Sequence, residues 1–433
     1  MNIPSPSHDK IILMEKKKRG SFKKWLVGLA VLLIILLILF FTRNSLNQAP
    51  LLTPVVTLQK SPTTLSGELE ATQIAIHATP TPQPSPTPWE IATATPLFNQ
   101  KPTTSYFLNP FTGIGRTLLE TDGANPGEDI FYRKPLLVKL LNWPRDQRPL
   151  SKINQADLVF EYYSGHQTNQ LLALYYGNEA ERVGPLGPGA LIDARLARHY
   201  QSNLVVSTVD TIVEGVYNNT LPDQVFYQGY TSCPGICTDP LAVGGQTFVN
   251  IPAIQEIVRD QRFKADLFRL SLSPFSAIFT DWDEEATRFS YLYADFSVMD
   301  WRYNPLSQKY ELWQEVVDEN NKLVLAPSFD ASGKAIEFDN LLFLASDYIE
   351  YNATSYDINM REGDTNQRAI LLREGKLTFG TWGSDSATEP LKFYAHGKDY
   401  SLKPGKSWIT FVSRISRAEE VADGEWDLEF RLD

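Results

Sequence analysis

Residues 136–176 read LLVKLLNWPRDQRPLSKINQADLVFEYYSGHQTNQLLALYY, and three short runs within them set the fold: Leu136 to Leu141, Leu158 to Tyr163 and Leu171 to Tyr176. Each is too short for a helix and rich in aliphatic or aromatic side chains, so each reads as a buried strand. Around the second run, Asp157, Val159 and Glu161 alternate with apolar neighbours and are expected on one strand face. A glycine- and proline-rich corner follows at VGPLGPGALIDARLARHY, residues 183–200, leading into a helix expected over Leu191 to Tyr200. Another helix is expected over Ile254 to Phe263.

From about Phe275 the pattern changes to many short strands separated by turn dipeptides. Asn304-Pro305 divides DWRY from KYELW, Glu374-Gly375 divides AILLR from KLTFGTW, and His396-Gly397 divides LKFYA from DYSL, each a hairpin signal. The fold class read from this is α+β, an N-terminal α/β-type lobe over 101–275 followed by a β-rich lobe over 276–433.

Working back towards the N-terminus, residues 43–100 carry few charges and no sustained apolar period, and read as a disordered linker. Within it TPTPQPSPTPWEIATATP, residues 79–96, has six prolines among threonines; as polyproline II it would reach up to ~55 Å at ~3.1 Å per residue, a semi-rigid stalk. Ahead of the linker, Trp25 to Phe41 gives seventeen consecutive uncharged residues, and Thr42 extends the run enough to cross a bilayer as a helix. Residues 1–24 hold seven cations against Asp9 and Glu15, a head that stays cytoplasmic and places the rest of the chain outside. The length of the run and the absence of a small-x-small site at Arg43 to Leu46 favour an uncleaved signal anchor over a removed signal peptide. No cysteine follows the run to carry a lipid.

Residues 25–433 have 33 cations and 49 anions, a net charge of −16, which repels phosphate backbones and argues against a nucleic-acid partner. Cys233 and Cys237 flank Pro-Gly-Ile and are expected as a local disulfide in an oxidising compartment, giving ~2 kcal/mol at so short a loop. Their C-x-x-x-C spacing is not that of a thioredoxin-like centre, and His166, His199 and His396 stand at no ligand spacing, so no metal site is expected.

In the corner at 183–200, Gly184, Gly187 and Gly189 match neither a dinucleotide fingerprint nor a phosphate loop, and Pro185 and Pro188 each remove a donor that a phosphate cradle would use. A structural strand-to-helix corner is the better reading, and no cofactor is expected. If Asp157 and Glu161 share one strand they stand ~13 Å apart, beyond the ~5–9.5 Å of glycosidase carboxylates. The cluster Asp281 to Glu285 lacks calcium-loop spacing and reads as the start of a solvated helix or turn. Ser164-Gly165-His166 reads as a polar turn, and no G-x-S-x-G or H-E-x-x-H occurs. Trp143, Trp301, Trp313, Trp382 and Trp408 read as core more readily than as a ligand groove.

Taken together, RKPLLVKLLNWPRDQRPLSKINQADLVFEYY, LLALYYGNEAERVGP, FDNLLFL, RAILLREGKLTFGTWG and YSLKPGKSWITFV resemble, in order and spacing, the YerB-like bacterial lipoproteins, a family of unknown function. The resemblance covers most of residues 130–413. It implies a membrane-attached, envelope-facing protein with an α+β domain followed by a β-rich one, and no established reaction. The family's motifs read Asp-Asn-His-Pro, Ala-Arg-Pro-Gln-Ser-Gly-Leu and Ala-Asp-Ile-Val-Tyr-Glu, and this chain keeps Asn142, Pro144, Arg148, Pro149, Ser151, Ala156, Asp157 and Glu161. It departs elsewhere: Leu141 replaces the aspartate, Gly165 and Gln170 replace a glutamate and an arginine, and Gly187 and Ala190 replace two arginines.

Asn142, Arg148, Asp157 and Glu161 are therefore the candidate binding residues. The sequence favours a non-catalytic binding or scaffold protein of the bacterial cell envelope, with an envelope polymer or another protein as partner. The rival is an envelope polysaccharide or peptide hydrolase or transferase built on Arg148, Asp157 and Glu161, whose side chains would then converge in one pocket. A third reading makes Arg148 and Glu161 an internal ion pair that fixes strand order.

Overall fold

A computed structural model describes residues 104–119, 134–260, 272–352 and 355–432. The basic head, the Trp25 to Phe41 span and the stalk lie outside them. Among the described residues no helix is long and apolar enough to cross a membrane.

The first half contributes β1 (Thr104–Leu108), β2 (Gly115–Leu119), β3 (Leu136–Leu140), β4 (Leu158–Gly165), β5 (Thr168–Tyr175), α1 (Leu191–His199), β6 (Asn203–Val206), α2 (Thr211–Thr220), β7 (Val225–Tyr227), β8 (Ile236–Thr238), β9 (Thr247–Val249) and α3 (Ile251–Asp260). The three strands expected from the aliphatic runs form within three residues of their expected ends. The helix expected over Ile254 to Phe263 starts three residues earlier, where Asn250 Oδ1 accepts from the Ala253 N–H at 3.0 Å. α2 was not expected, because TIVEGVYNNT has β-branched residues, two asparagines and a glycine. Asp210 caps it, its Oδ1 accepting from the N–H groups of Ile212 and Val213 at 2.9 Å each, and Val213 and Tyr217 bury its inner face.

After residue 275 the described chain is entirely β and coil. It contributes β10 (Glu284–Glu285), β11 (Arg288–Ala294), β12 (Ser297–Asn304), β13 (Lys309–Val317), β14 (Leu323–Pro327), β15 (Glu337–Phe338), β16 (Asn340–Asn352), β17 (Ser355–Asn359) and β18 (Gln367–Arg373). β19 (Lys376–Gly383), β20 (Lys392–Ala395), β21 (Lys398–Asp399), β22 (Ser407–Ser413), β23 (Arg417–Ala422) and β24 (Glu425–Glu429) complete it. The three expected hairpins form, two of them with two-residue turns: Glu374 and Gly375 have φ 54° and 72°, and His396 and Gly397 have φ 52° and 74°. Positive φ at both positions is what a right-twisted hairpin requires. The acidic cluster corrects an expectation, since Glu284 and Glu285 form a short strand against β19 and no helix begins there.

A single sheet unites strands from both sides of residue 275, in the order β21-β20-β19-β18-β16-β22-β4-β5-β3-β6-β7. Its seam is β22, which pairs in parallel with both β16 and β4 and places Thr410 opposite Glu161. A second sheet, β14-β13-β12-β11-β24-β23, packs on one face through Phe289, Tyr291, Trp301 and Leu312 against Val159, Phe343 and Trp408. α1 and α2 cover the other face through Leu196, Val213 and Tyr217 over Phe160 and Leu172. Trp301, Trp382 and Trp408 are fully buried core residues.

Candidate functional site

The alternation of β4 turns Phe160 and Tyr162 towards the helices and Val159 and Glu161 towards the second sheet. Glu161 is therefore buried between the two sheets, at 0% exposure. Its Oε1 accepts from Asn169 Nδ2 at 2.6 Å and Tyr293 OH at 3.2 Å; its Oε2 accepts from Tyr291 OH at 2.5 Å, Trp408 Nε1 at 2.7 Å and Thr410 Oγ1 at 3.3 Å. These donors come from β5, β11 and β22, so one carboxylate ties both sheets together. Burial raises its pKa, opposed by hydrogen bonds from Tyr291, Asn169, Trp408 and Tyr293.

Asp157 is also buried, at the mouth of β4. Its Oδ2 accepts from the N–H groups of Tyr176 and Gly177 at 2.7 and 3.0 Å, and its Oδ1 from Asn109 Nδ2 at 2.8 Å. Burial raises its pKa as well, against the hydrogen bonds from Gly177, Tyr176 and Asn109. It clamps the end of β5 and the turn between β1 and β2 to the central sheet.

Arg148 does not pair with Glu161, which corrects the internal ion pair considered from the sequence. Its Nη1 lies 3.0 Å from Glu315 Oε1 on β13, and its Nε donates to Asn142 Oδ1 at 3.1 Å. Asn142 Nδ2 donates to Asn169 Oδ1 at 2.9 Å, and Asn169 donates to Glu161. A single hydrogen-bond chain thus links Arg148, Asn142, Asn169 and Glu161, with Asp157 outside it. Arg145 also reaches Glu315, at 3.3 Å, and the guanidinium carbons of Arg145 and Arg148 lie 4.7 and 5.1 Å from the Trp143 ring.

Next to this chain, where β3 ends, a cavity of about 210 Å³ opens. Asn142, Trp143 and Asn169 line it together with the β4–β5 turn, the start of β5 and Pro188 from the corner before α1. This is the carboxyl end of β3, where the strand is flanked by antiparallel β5 and parallel β6, a common place for ligands in α/β sheets. Leu141 and Gln170, two positions where expected charges are replaced, line it; Gly165, Gly187 and Ala190 do not. Arg148, Asp157 and Glu161 do not line it either.

The corner at 183–190 holds no anion cradle. The Gly187 N–H donates to Lys139 O at 2.9 Å, the Gly189 N–H to Thr208 O at 2.8 Å, and the Ala190 N–H to Asp193 Oδ2 at 2.7 Å. Behind it lies a cluster the sequence reading missed. Lys139 Nζ sits 3.2 Å from each Asp193 oxygen, both side chains at 0% exposure, and Tyr162 OH contacts both. Tyr217 OH donates to Asp193 Oδ2 at 3.2 Å. Burial lowers the Lys139 pKa, against the charge of Asp193, which raises it. A lone lysine inside LLVKLL was the available signal, since a charge in a buried strand requires a partner.

Cys233 and Cys237 are joined by a disulfide, with Cα atoms 4.9 Å apart. Among the described residues no group of His, Cys, Asp and Glu is arranged to hold a metal.

Residues 121–225 match the N-terminal domain, and residues 288–409 the C-terminal domain, of a family described as protein of unknown function (DUF3048). The crystal structure of the YerB protein from Bacillus subtilis superposes with a TM-score of 0.55 at 17% identity, covering 71% of this chain and 96% of that one, a likeness of fold. No curated protein matches the chain.

Proposed function

This chain belongs to the DUF3048 family of YerB-like proteins of unknown function, and from that premise we propose that it is a membrane-anchored, extracytoplasmic binding protein of the bacterial cell envelope with no catalysis of its own. The observation that carries the reading is where the two expected carboxylates lie. Glu161 and Asp157 are buried, accept five and three hydrogen bonds, and stand in the framework instead of in the cavity wall. A hydrolase built on this pair needs at least one of the two carboxylates to reach its substrate. The apolar run Trp25 to Phe41, the basic head before it and the proline-rich stretch after it support anchoring.

The test joins location to chemistry. In spheroplasts, added protease is expected to remove residues 101–433 and spare the cytoplasmic head, and purified full-length protein is expected to release no reducing ends or amines from isolated envelope polymer. A folded part sheltered from protease contradicts the location. Turnover abolished by Asp157→Asn or Glu161→Gln, in variants that stay folded, contradicts the non-catalytic reading.

A further inference from the structure

The second sheet ends on β14, whose residues LVLAP carry no charge and pair with β13 alone, in unbroken register. Two bonds bracket the ladder: Asp318 N–H donates to Lys322 O and Ser328 N–H to Leu312 O, each at 2.8 Å. In an antiparallel pair such bonds recur at every second residue, so Val324 and Ala326 point their backbone groups at β13. Leu323 and Leu325 therefore turn theirs outward, and among the described residues no strand pairs with that side.

Native sheets blunt such edges with charges, bulges or very short strands. The opposite end of this sheet follows the rule, since β23 carries Arg417, Glu419 and Glu420 and has a bulge against β24. The central sheet ends on β21, two residues long, and on β7, three residues long. β14 has five residues and no charge. Around it, Val316 lies opposite Val324 and Val317 opposite Leu323, and these four side chains are 40–53% exposed, so both faces of the hairpin end are apolar.

We propose that β14 joins two copies of this chain edge to edge and antiparallel, continuing the second sheet across a two-fold axis at Val324. In that register Leu323 of each copy lies opposite Leu325 of the other, and each pair exchanges two N–H···O=C bonds. Every outward N–H of the strand is then used, Pro327, which has none, falls outside the exchanged pairs, and Val324 meets its own counterpart. A second copy fits because the edge is complementary to itself in charge as well as in backbone. The antiparallel order brings the turn holding exposed Glu319 of one copy towards the turn holding exposed Lys334 of the other. The contact is smaller than the ~1,200 Å² of a standard interface, so the dimer is weak and forms at high local concentration.

Oxidative cross-linking of the purified full-length protein at about 0.1 mM, a concentration that populates a dimer of micromolar dissociation constant, tests this. The native cysteines are already joined to each other, so an added one reports alone. Val324→Cys places two thiols in a non-hydrogen-bonded pair with Cα atoms ~4.5 Å apart, within disulfide reach, and is expected to give a species of twice the chain's mass. Glu419→Cys, on the blunted edge, is expected to cross-link at least about tenfold more slowly. Adding Leu323→Pro to Val324→Cys removes two of the four exchanged bonds and none of those to β13, and should slow the cross-link at least about tenfold with the fold intact. No dimer from Val324→Cys, equal rates at the two edges, or an unchanged rate in a folded Leu323→Pro variant overturns the proposal.

Discussion

Asp193 shows how a single side chain can be indispensable without touching a ligand. Its oxygens hold Lys139, Tyr162 and Tyr217, and also accept from the N–H of Ala190 at the start of α1. Its removal leaves an ammonium buried in an apolar layer, which costs far more than the pair itself contributes. Asp193→Ala is therefore expected to lose about 3–5 kcal/mol in urea unfolding, and adding Lys139→Met should recover more than half of that loss. If the two losses simply add, the ion pair is not the reason for the burial.

At the scale of elements, the corner before α1 is shaped by close approach. A Cβ on Gly189 would stand 2.5 Å from Tyr217 OH and 2.8 Å from Val209 Cγ1, so the loop can pass between the end of β3 and α2 only without a side chain there. Gly215, exposed in α2, would meet nothing within 4 Å. The two glycines predict opposite signs: Gly189→Ala should lose about 1–3 kcal/mol by overpacking, and Gly215→Ala should gain up to about 1 kcal/mol of helix propensity. Thermal unfolding of the two variants checks both, and a stabilised Gly189→Ala would remove the steric account of the corner.

The same scale separates what was legible in the sequence from what was not. β3, β4 and β5 could be read because their aliphatic runs need no distant partner to declare themselves, and the hairpins at Glu374 and His396 because their turns require positive φ. α2 was hidden, since its residues favour helix only weakly and it is stabilised by the Asp210 cap and the burial of Val213 and Tyr217. Asn142, Arg148, Asp157 and Glu161 stood out because the chain keeps them from the motifs of the family it resembles. Their partners did not: Glu315 lies 167 residues from Arg148, Tyr291 lies 130 from Glu161, and no local pattern announces either contact.

For the whole molecule, the decisive feature is the seam where β22 enters between β4 and β16 and joins chain from both sides of residue 275 in one sheet. Glu161 sits on that seam and gathers donors from the second sheet as well. Its pKa is raised by burial, so the stability tied to its protonated form is complete below the ordinary glutamate value of 4.5 and is lost as pH rises through the higher folded value. Its carboxyl group accepts from five donors, and removing it strands them between the sheets. The most direct measurement of the claim that these carboxylates are framework is urea unfolding of Glu161→Ala beside wild type at pH 7. The account predicts a loss of about 3 kcal/mol or more. A variant within about 0.5 kcal/mol of wild type, the range of an ordinary surface substitution, would contradict it.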